Sequence, residues 1–217
     1  SSLTPESAIT ISGQVVVNSM IKLGGMEIIL DSLIIVSRAE TPLPIADESS
    51  PDLQQDWRAL SLRRPENNLI FRVQTTLESA MREFWEQQGF IQIHSPKLMG
   101  TASESGSELF QLEYFGQKAS LAQSPQFYKQ MAMAAGFDRV FEIGPVFRAN
   151  PSFTSRHDTE FTSIDVEMSW IESHDEVMKF EEVWLQHAID RVSRVHGEEI
   201  KECFGVDVIV PSLPFPR

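Results

Sequence analysis

The residues best suited to chemistry fall within one stretch, Phe137 to Trp170. Arg148, Arg156 and His157 precede a segment, Phe161-Thr-Ser-Ile-Asp-Val-Glu-Met168, that alternates in the manner of a β-strand. Alternation puts Phe161, Ser163, Asp165 and Glu167 on one face and Thr162, Ile164, Val166 and Met168 on the other. The preceding run alternates as well, with Val140, Glu142, Gly144 and Val146 opposite Phe141, Ile143, Pro145 and Phe147. Two strands joined by a polar loop would therefore present an aromatic ring, two arginines, a histidine and two carboxylates together. That set suits a planar base, phosphates and a small charged substrate.

A frame is needed to hold this hairpin. The 217 residues allow one large domain, or one domain with a small appendage, and 41% hydrophobic content is enough for a core. No run of 18 apolar residues and no secretory leader pattern occurs, so the chain reads as soluble, intracellular and without a membrane partner. The single Cys203 excludes an internal disulfide framework and a cysteine metal site, and the five histidines have no ligand spacing, so no metal ligands are assigned. The net charge of −13 opposes bulk attraction to nucleic acid, although a local basic patch can bind where the acids lie elsewhere. They concentrate at 47–56, 172–182 and 198–207.

Residues 8–17 and 27–37 are β-branched and read as strands, with Gly24-Gly25 as the turn between them. No helix follows the glycines, which favours a hairpin over a phosphate loop. Two strands cannot bury a core, so this segment is either the remnant of a small barrel or packs on the chain beyond residue 40. Residues 40–56 hold three prolines with acids and serines and read as a linker. The spacing of Leu69, Val73, Leu77, Ala80, Met81, Phe84 and Trp85 predicts a helix over 65–88, begun by Pro65 and ended by Gly89. Its apolar face serves a core or a second subunit. A short strand at 90–93 comes next and is broken at Ser95-Pro96.

The small polar stretch 101–108 reads as a surface loop or as a mobile lid carrying Glu104 or Glu108. Strands are expected at 109–115 and 119–122, then a helix to Ala135 with Ser124 as N-cap and Pro125 at its first position. Lys129 shares a face with Gln126 near that helix start. A lone helical lysine is ordinarily solvated, but one beside a capped N-terminus suits an anion. Ser173 to Glu176 reads as a capping box for a helix ending at Gly197, and 204–210 as a possible strand. The sum is an α+β protein, with antiparallel strands flanked by helices.

These residues together resemble a family. Phe147-Arg148, Arg156-His157, Glu160-Phe161-Thr162 and Ile164-Asp165-Val166-Glu167 look like motif 2 of class II aminoacyl-tRNA synthetases, and Gly89-Phe90 through Ser95-Pro96-Lys97-Leu98 looks like motif 1. Gln123-Ser-Pro-Gln-Phe-Tyr-Lys129-Gln130 is similar to the substrate helix of the aspartyl branch. Arg38 to Pro44, Leu62 to Pro65 and Leu213 to Arg217 point to its archaeal-like form. The resemblance runs from about residue 8 onward.

The resemblance implies ATP-dependent activation of aspartate, transfer to tRNA, magnesium as phosphate counter-ion, a homodimer through the motif 1 region, and a place in the cytoplasm. It implies that Arg148 contacts the α-phosphate as the catalytic cation, that Arg156 and His157 reach the outer phosphates, and that Phe161 stacks on adenine. Lys129 would pair with the aspartate side chain. Ser124, Gln126 and Asp165 would hold its backbone ends, and Glu104 would close over it on the lid. Residues 1–39 would be the end of an OB-type anticodon-binding barrel, 40–64 a hinge, and 65–217 the first part of the catalytic domain. The sequence departs from the family pattern at Asn150, where a Glu that helps position the nucleotide is usual, and at Ser105, where Gly is common. A Gly-rich motif 3 with its own Arg is not among these residues, and the 217-residue piece alone is expected to be inactive. A truncated, non-catalytic paralogue and an asparagine-synthetase-like relative stand as alternatives. The barrel-like strands argue against the latter.

Overall fold

The computed structural model describes residues 3–21, 24–102, 109–151, 154 and 156–216. Two compact units form, Ser1–Arg64 and Pro65–Arg217.

In the first unit, β1 (Ala8–Val17) and β2 (Met26–Ser37) pair antiparallel. Gly24 and Gly25 adopt positive φ, as a tight hairpin turn requires. The register shifts between Ser12 and Gly13, and a Cβ at Gly13 would stand 2.1 Å from the Ile29 carbonyl oxygen, so only glycine fits there. The stretch read as linker ends in a short helix, α1 (Pro51–Asp56), and a second, α2 (Arg58–Ser61), follows it. Local chemistry explains the first. Ser50 Oγ accepts from the Leu53 N–H, and Pro51 supplies the fixed φ of an opening residue.

In the second unit, α3 (Pro65–Gln87) is the expected amphipathic helix, and Gly89 takes the left-handed conformation after it. A sheet of order β3-β7-β8 comes next: β3 (Ile91–Gln92) runs parallel to β7 (Arg139–Phe147), and β7 pairs antiparallel with β8 (Glu160–Met168). A smaller antiparallel sheet has the order β4-β6-β5, with β4 (Leu98–Met99), β5 (Gln111–Tyr114) and β6 (Gln117–Leu121). The remaining elements are α4 (Gln126–Ala134) and the long α5 (His174–Phe204).

Helix α5 passes through Gly197 and ends instead at Gly205, whose φ of 68° provides the left-handed cap. A glycine inside a helix costs about 1 kcal/mol relative to alanine, which the flanking packing outweighs. At its start, the Glu176 carboxylate accepts from the Glu172 N–H, one residue before the position that a capping box requires. Residues 206–210 form no strand.

Helices α3 and α5 pack together. Their shared aromatic seam sets the hydrophobic side of the β7–β8 hairpin. Trp85 lies 4.4 Å from Trp184 and 4.9 Å from Phe141, ring centroid to centroid. Phe141 is fully buried, and Ile143, Val166 and Met168 pack against the same cluster. One face of the hairpin is thereby committed to the core. The other face, with Glu142, Gly144, Ser163, Asp165 and Glu167, carries polar chemistry.

A polar clamp also joins the two helices. Arg72 donates two hydrogen bonds of 2.9 Å to the Glu199 carboxylate, and His196 bridges Thr76 and Glu199. The Arg72 hydrogen bonds, then that of His196, hold the Glu199 carboxyl below its ordinary value of 4.5. A depressed carboxyl favours the folded state above its unfolded pKa, and that contribution vanishes as pH falls through the lower folded value. The gap in urea midpoint between the unmodified protein and Glu199→Gln should therefore be widest near neutrality and close on acidification below pH about 4.5. A gap that stays constant into the acid range would count against this clamp.

Candidate functional site

Local sequence dictates where α4 begins. Pro125 and Ser124 are buried, Ser124 Oγ accepts from the Gln126 N–H at 3.3 Å, and the helix opens at Gln126, one residue later than its Pro125 predicts. Phe127 and Met131 face outward on α4. Lys129 therefore turns inward, and it is only 5% exposed.

A buried ammonium requires partners. Lys129 Nζ donates to Asp165 Oδ1 at 3.0 Å and lies 3.4 Å from Glu167 Oε2. The second Asp165 oxygen accepts from Ser163 Oγ at 2.5 Å. The alternation predicted for β8 is what brings Ser163, Asp165 and Glu167 to this one cation. Beside the cluster a cavity of about 370 Å³ runs along the outer edge of β8, with Phe180, Glu181 and Trp184 of α5 as its far wall. That size lies within the ordinary range for small-molecule sites.

A second cluster forms at the loop end of the hairpin. Phe161 pairs in register with Val146, and the Arg148 guanidinium sits 5.7 Å from the centre of the Phe161 ring. The Arg148 N–H donates to the Thr159 carbonyl at 2.9 Å, which closes the hairpin just beyond its last ladder pair. Phe161 and Asp165 are four residues apart on one strand, so the two clusters stand about 13 Å apart along it. Arg156 and His157 are exposed on the connecting loop, with His157 Nδ1 3.0 Å from Thr154 Oγ1. Asn150 is half-buried, and its N–H donates to the Arg148 carbonyl at 2.8 Å. Glu104 and the rest of the predicted lid, 103–108, lie outside the described residues.

Sequence reasoning passed over one part of this face. Glu142 is 2% exposed and stands opposite Asp165 across the ladder. Its carboxylate accepts from the Ser95 N–H at 2.9 Å, from Ser95 Oγ at 3.0 Å and from the Lys97 ammonium. The alternation had put Glu142 on this face, but no spacing in the chain connects it with Lys97, 45 positions earlier. Among the described residues no group of three or more His, Cys, Asp or Glu side chains could hold a metal ion.

Comparison with known proteins places this arrangement. Residues 50–217 match the model of the tRNA synthetases class II (D, K and N) family. The chain belongs to that family. Among curated relatives of this class II synthetase chain, the Aspartate--tRNA(Asp) ligase of Thermococcus kodakarensis is 43% identical over 219 residues, which span 99% of this chain and 50% of the relative. The Aspartate--tRNA(Asp/Asn) ligase of Methanopyrus kandleri is 44% identical, again over 99% of this chain and 50% of the relative. The chain thus spans about half the length of the curated relatives it matches. Among solved structures, asparaginyl-tRNA synthetase from Pyrococcus horikoshii complexed with asparaginyl-adenylate superimposes with a TM-score of 0.86 at 32% identity, over 92% of this chain and 46% of that one. Aspartyl-tRNA synthetase from Entamoeba histolytica does so with a TM-score of 0.74 at 34% identity, over 91% of this chain and 43% of that one. The α+β class of the synthetase chain, its antiparallel sheets flanked by helices and its leading OB-type strands all agree with these relatives.

Proposed function

We propose that this chain is part of an aspartate–tRNA ligase, and the observation that carries the reading is the buried Lys129. Lys129 lines the cavity beside β8 as well as pairing with Asp165 and Glu167, and its ammonium is the group there that would take the side-chain carboxylate of an acidic ligand. The neutral amide of asparagine makes no ion pair with that ammonium, so the contact favours aspartate. Matched solved structures include asparaginyl enzymes, so overall likeness does not choose between the two amino acids. Lys129 does.

In the reaction, an oxygen of the aspartate α-carboxylate attacks the α-phosphorus of ATP. The bond to the bridging oxygen breaks, pyrophosphate leaves, and aspartyl-adenylate remains for attack by the terminal hydroxyl of tRNA. Arg148 is the group that would stabilise charge building on the α-phosphate. Phe161 offers a face for adenine, and Arg156 and His157 lie on the exposed loop where outer phosphates would extend. Ser124, Gln126 and Asp165 would hold the backbone ends of the amino acid, and Glu104 would close over it. The described residues fit ATP in this way. They do not supply a metal cage, so no step is assigned to a protein-held magnesium ion. Residues 1–39 would contribute the end of the anticodon-binding barrel, 40–64 the hinge, and 65–217 the first part of the catalytic domain. Dimerisation would use the 65–98 region that includes motif 1, where Ile70 and Phe71 leave α3 with an exposed apolar edge. Work in protein synthesis assigns the protein to the cytoplasm, and no described helix is long and apolar enough to cross a membrane.

Pyrophosphate exchange by the full-length protein tests the assignment. Aspartate should support exchange at least about 100-fold better than asparagine, as expected where a buried charge loses its partner. Equal use of the two amino acids would overturn the reading.

A further inference from the structure

We propose that Lys97 and Glu142 are positioning residues that keep Lys129 available for the substrate; the inference rests on the function proposed above. Three carboxylates share one face of the hairpin: Glu142, Asp165 and Glu167. Glu142 and Asp165 are direct cross-strand neighbours, and like charges so placed repel and compete for the same cation. The fold supplies two lysines and keeps them on separate partners. Lys97 takes Glu142, while Lys129 takes Asp165 and Glu167.

The separation is built in by geometry. The Lys97 ammonium also donates to Ser95 Oγ at 3.0 Å, and both Ser95 groups bind the Glu142 carboxylate, so that carboxylate has three donors of its own without Lys129. Gly144 leaves room for the Glu142 carboxylate, since a Cβ there would crowd Glu142 Oε1 at 3.2 Å while meeting Lys97 Cε at an ordinary 3.6 Å. The backbone of Lys97 is fixed too. Its carbonyl accepts from the Ala122 N–H, and the Ala122 carbonyl accepts from the Phe147 N–H, each at 2.9 Å. Lys97 therefore cannot drift from β7 without disturbing the segment that leads into α4. Without its charge, Glu142 would be a buried carboxylate facing Asp165, and Lys129 would be drawn into compensating it.

The test is steady-state pyrophosphate exchange by the full-length protein. Lys97→Met should raise the KM for aspartate at least tenfold and leave that for ATP within twofold. Lys97→Gln, which keeps a neutral donor to Glu142 and is the gentler change for folding, should raise it at least threefold. Adding Glu142→Gln to Lys97→Met removes the stranded charge and should return the aspartate KM to within threefold of the unmodified value. A purely structural pair would move the two KM values together, and that outcome overturns the proposal. So does an unchanged aspartate KM in folded variants, or a double variant that fails to recover. If the unmodified protein itself shows no aspartate-dependent exchange, the functional reading falls and this inference with it. If it exchanges normally and the variants do not respond, only the roles given to Lys97 and Glu142 fall.

Discussion

Lys129→Leu in the full-length protein is expected to erase the preference for aspartate over asparagine. Removing one partner of a buried, hydrogen-bonded charge pair costs about 2–5 kcal/mol of binding, roughly 30- to 3,000-fold in aspartate-dependent exchange. Asparagine, which gains nothing from the ammonium, should lose much less, so the ratio collapses from both directions. Stability should fall as well. Asp165 keeps its bond from Ser163 but loses its counter-charge, and an uncompensated buried charge costs about 3–5 kcal/mol. The ratio of the two amino acids is the decisive measurement, because it is independent of how much protein folds. If Lys129→Leu still prefers aspartate by 100-fold or more, some other group reads the side chain.

The second large effect is expected at Arg148. Removing a donor aimed at charge that develops in the transition state lowers kcat by about 10²- to 10³-fold. Arg148→Ala should show that loss in kcat while melting close to the unmodified protein, since Arg148 lies at the loop end of the hairpin, away from the aromatic seam. Arg148→Lys should recover little, because a point-charge ammonium does not reproduce the planar fork that grips a phosphate and packs over the Phe161 ring. A lysine variant with more than half of the original kcat would refute a forked contact to the α-phosphate.

Both predictions concern residues that were recognisable in the chain itself, and the reason is local. A β-strand has a period of two, so the order of residues 160–168 already separates Asp165 and Glu167 from Ile164 and Val166. Helix α3 was equally legible, because a repeat of three and four with a proline at the head and a glycine behind it has few other readings. Two departures share one cause. Gly197 looked like a helix end because glycine is a weak helix former, yet a further seven residues of α5 follow it. The stretch 40–56 looked extended because prolines and acids dominate it, yet Ser50 and Pro51 start a helix there. In each case a cap or a packing partner outweighed composition.

Two things were therefore determined by the amino-acid sequence alone: the period-two faces of the hairpin and the residue types that mark the family. Both are properties of neighbours along the chain. Which carboxylate belongs to which lysine was decided only by the tertiary structure. Lys129 reaches Asp165 across 36 positions, and Lys97 reaches Glu142 across 45. Those pairings depend on how α4 and the segment after β3 are laid against the sheet. Burial then enforces them, because a charge removed from water must find its partner in the fold.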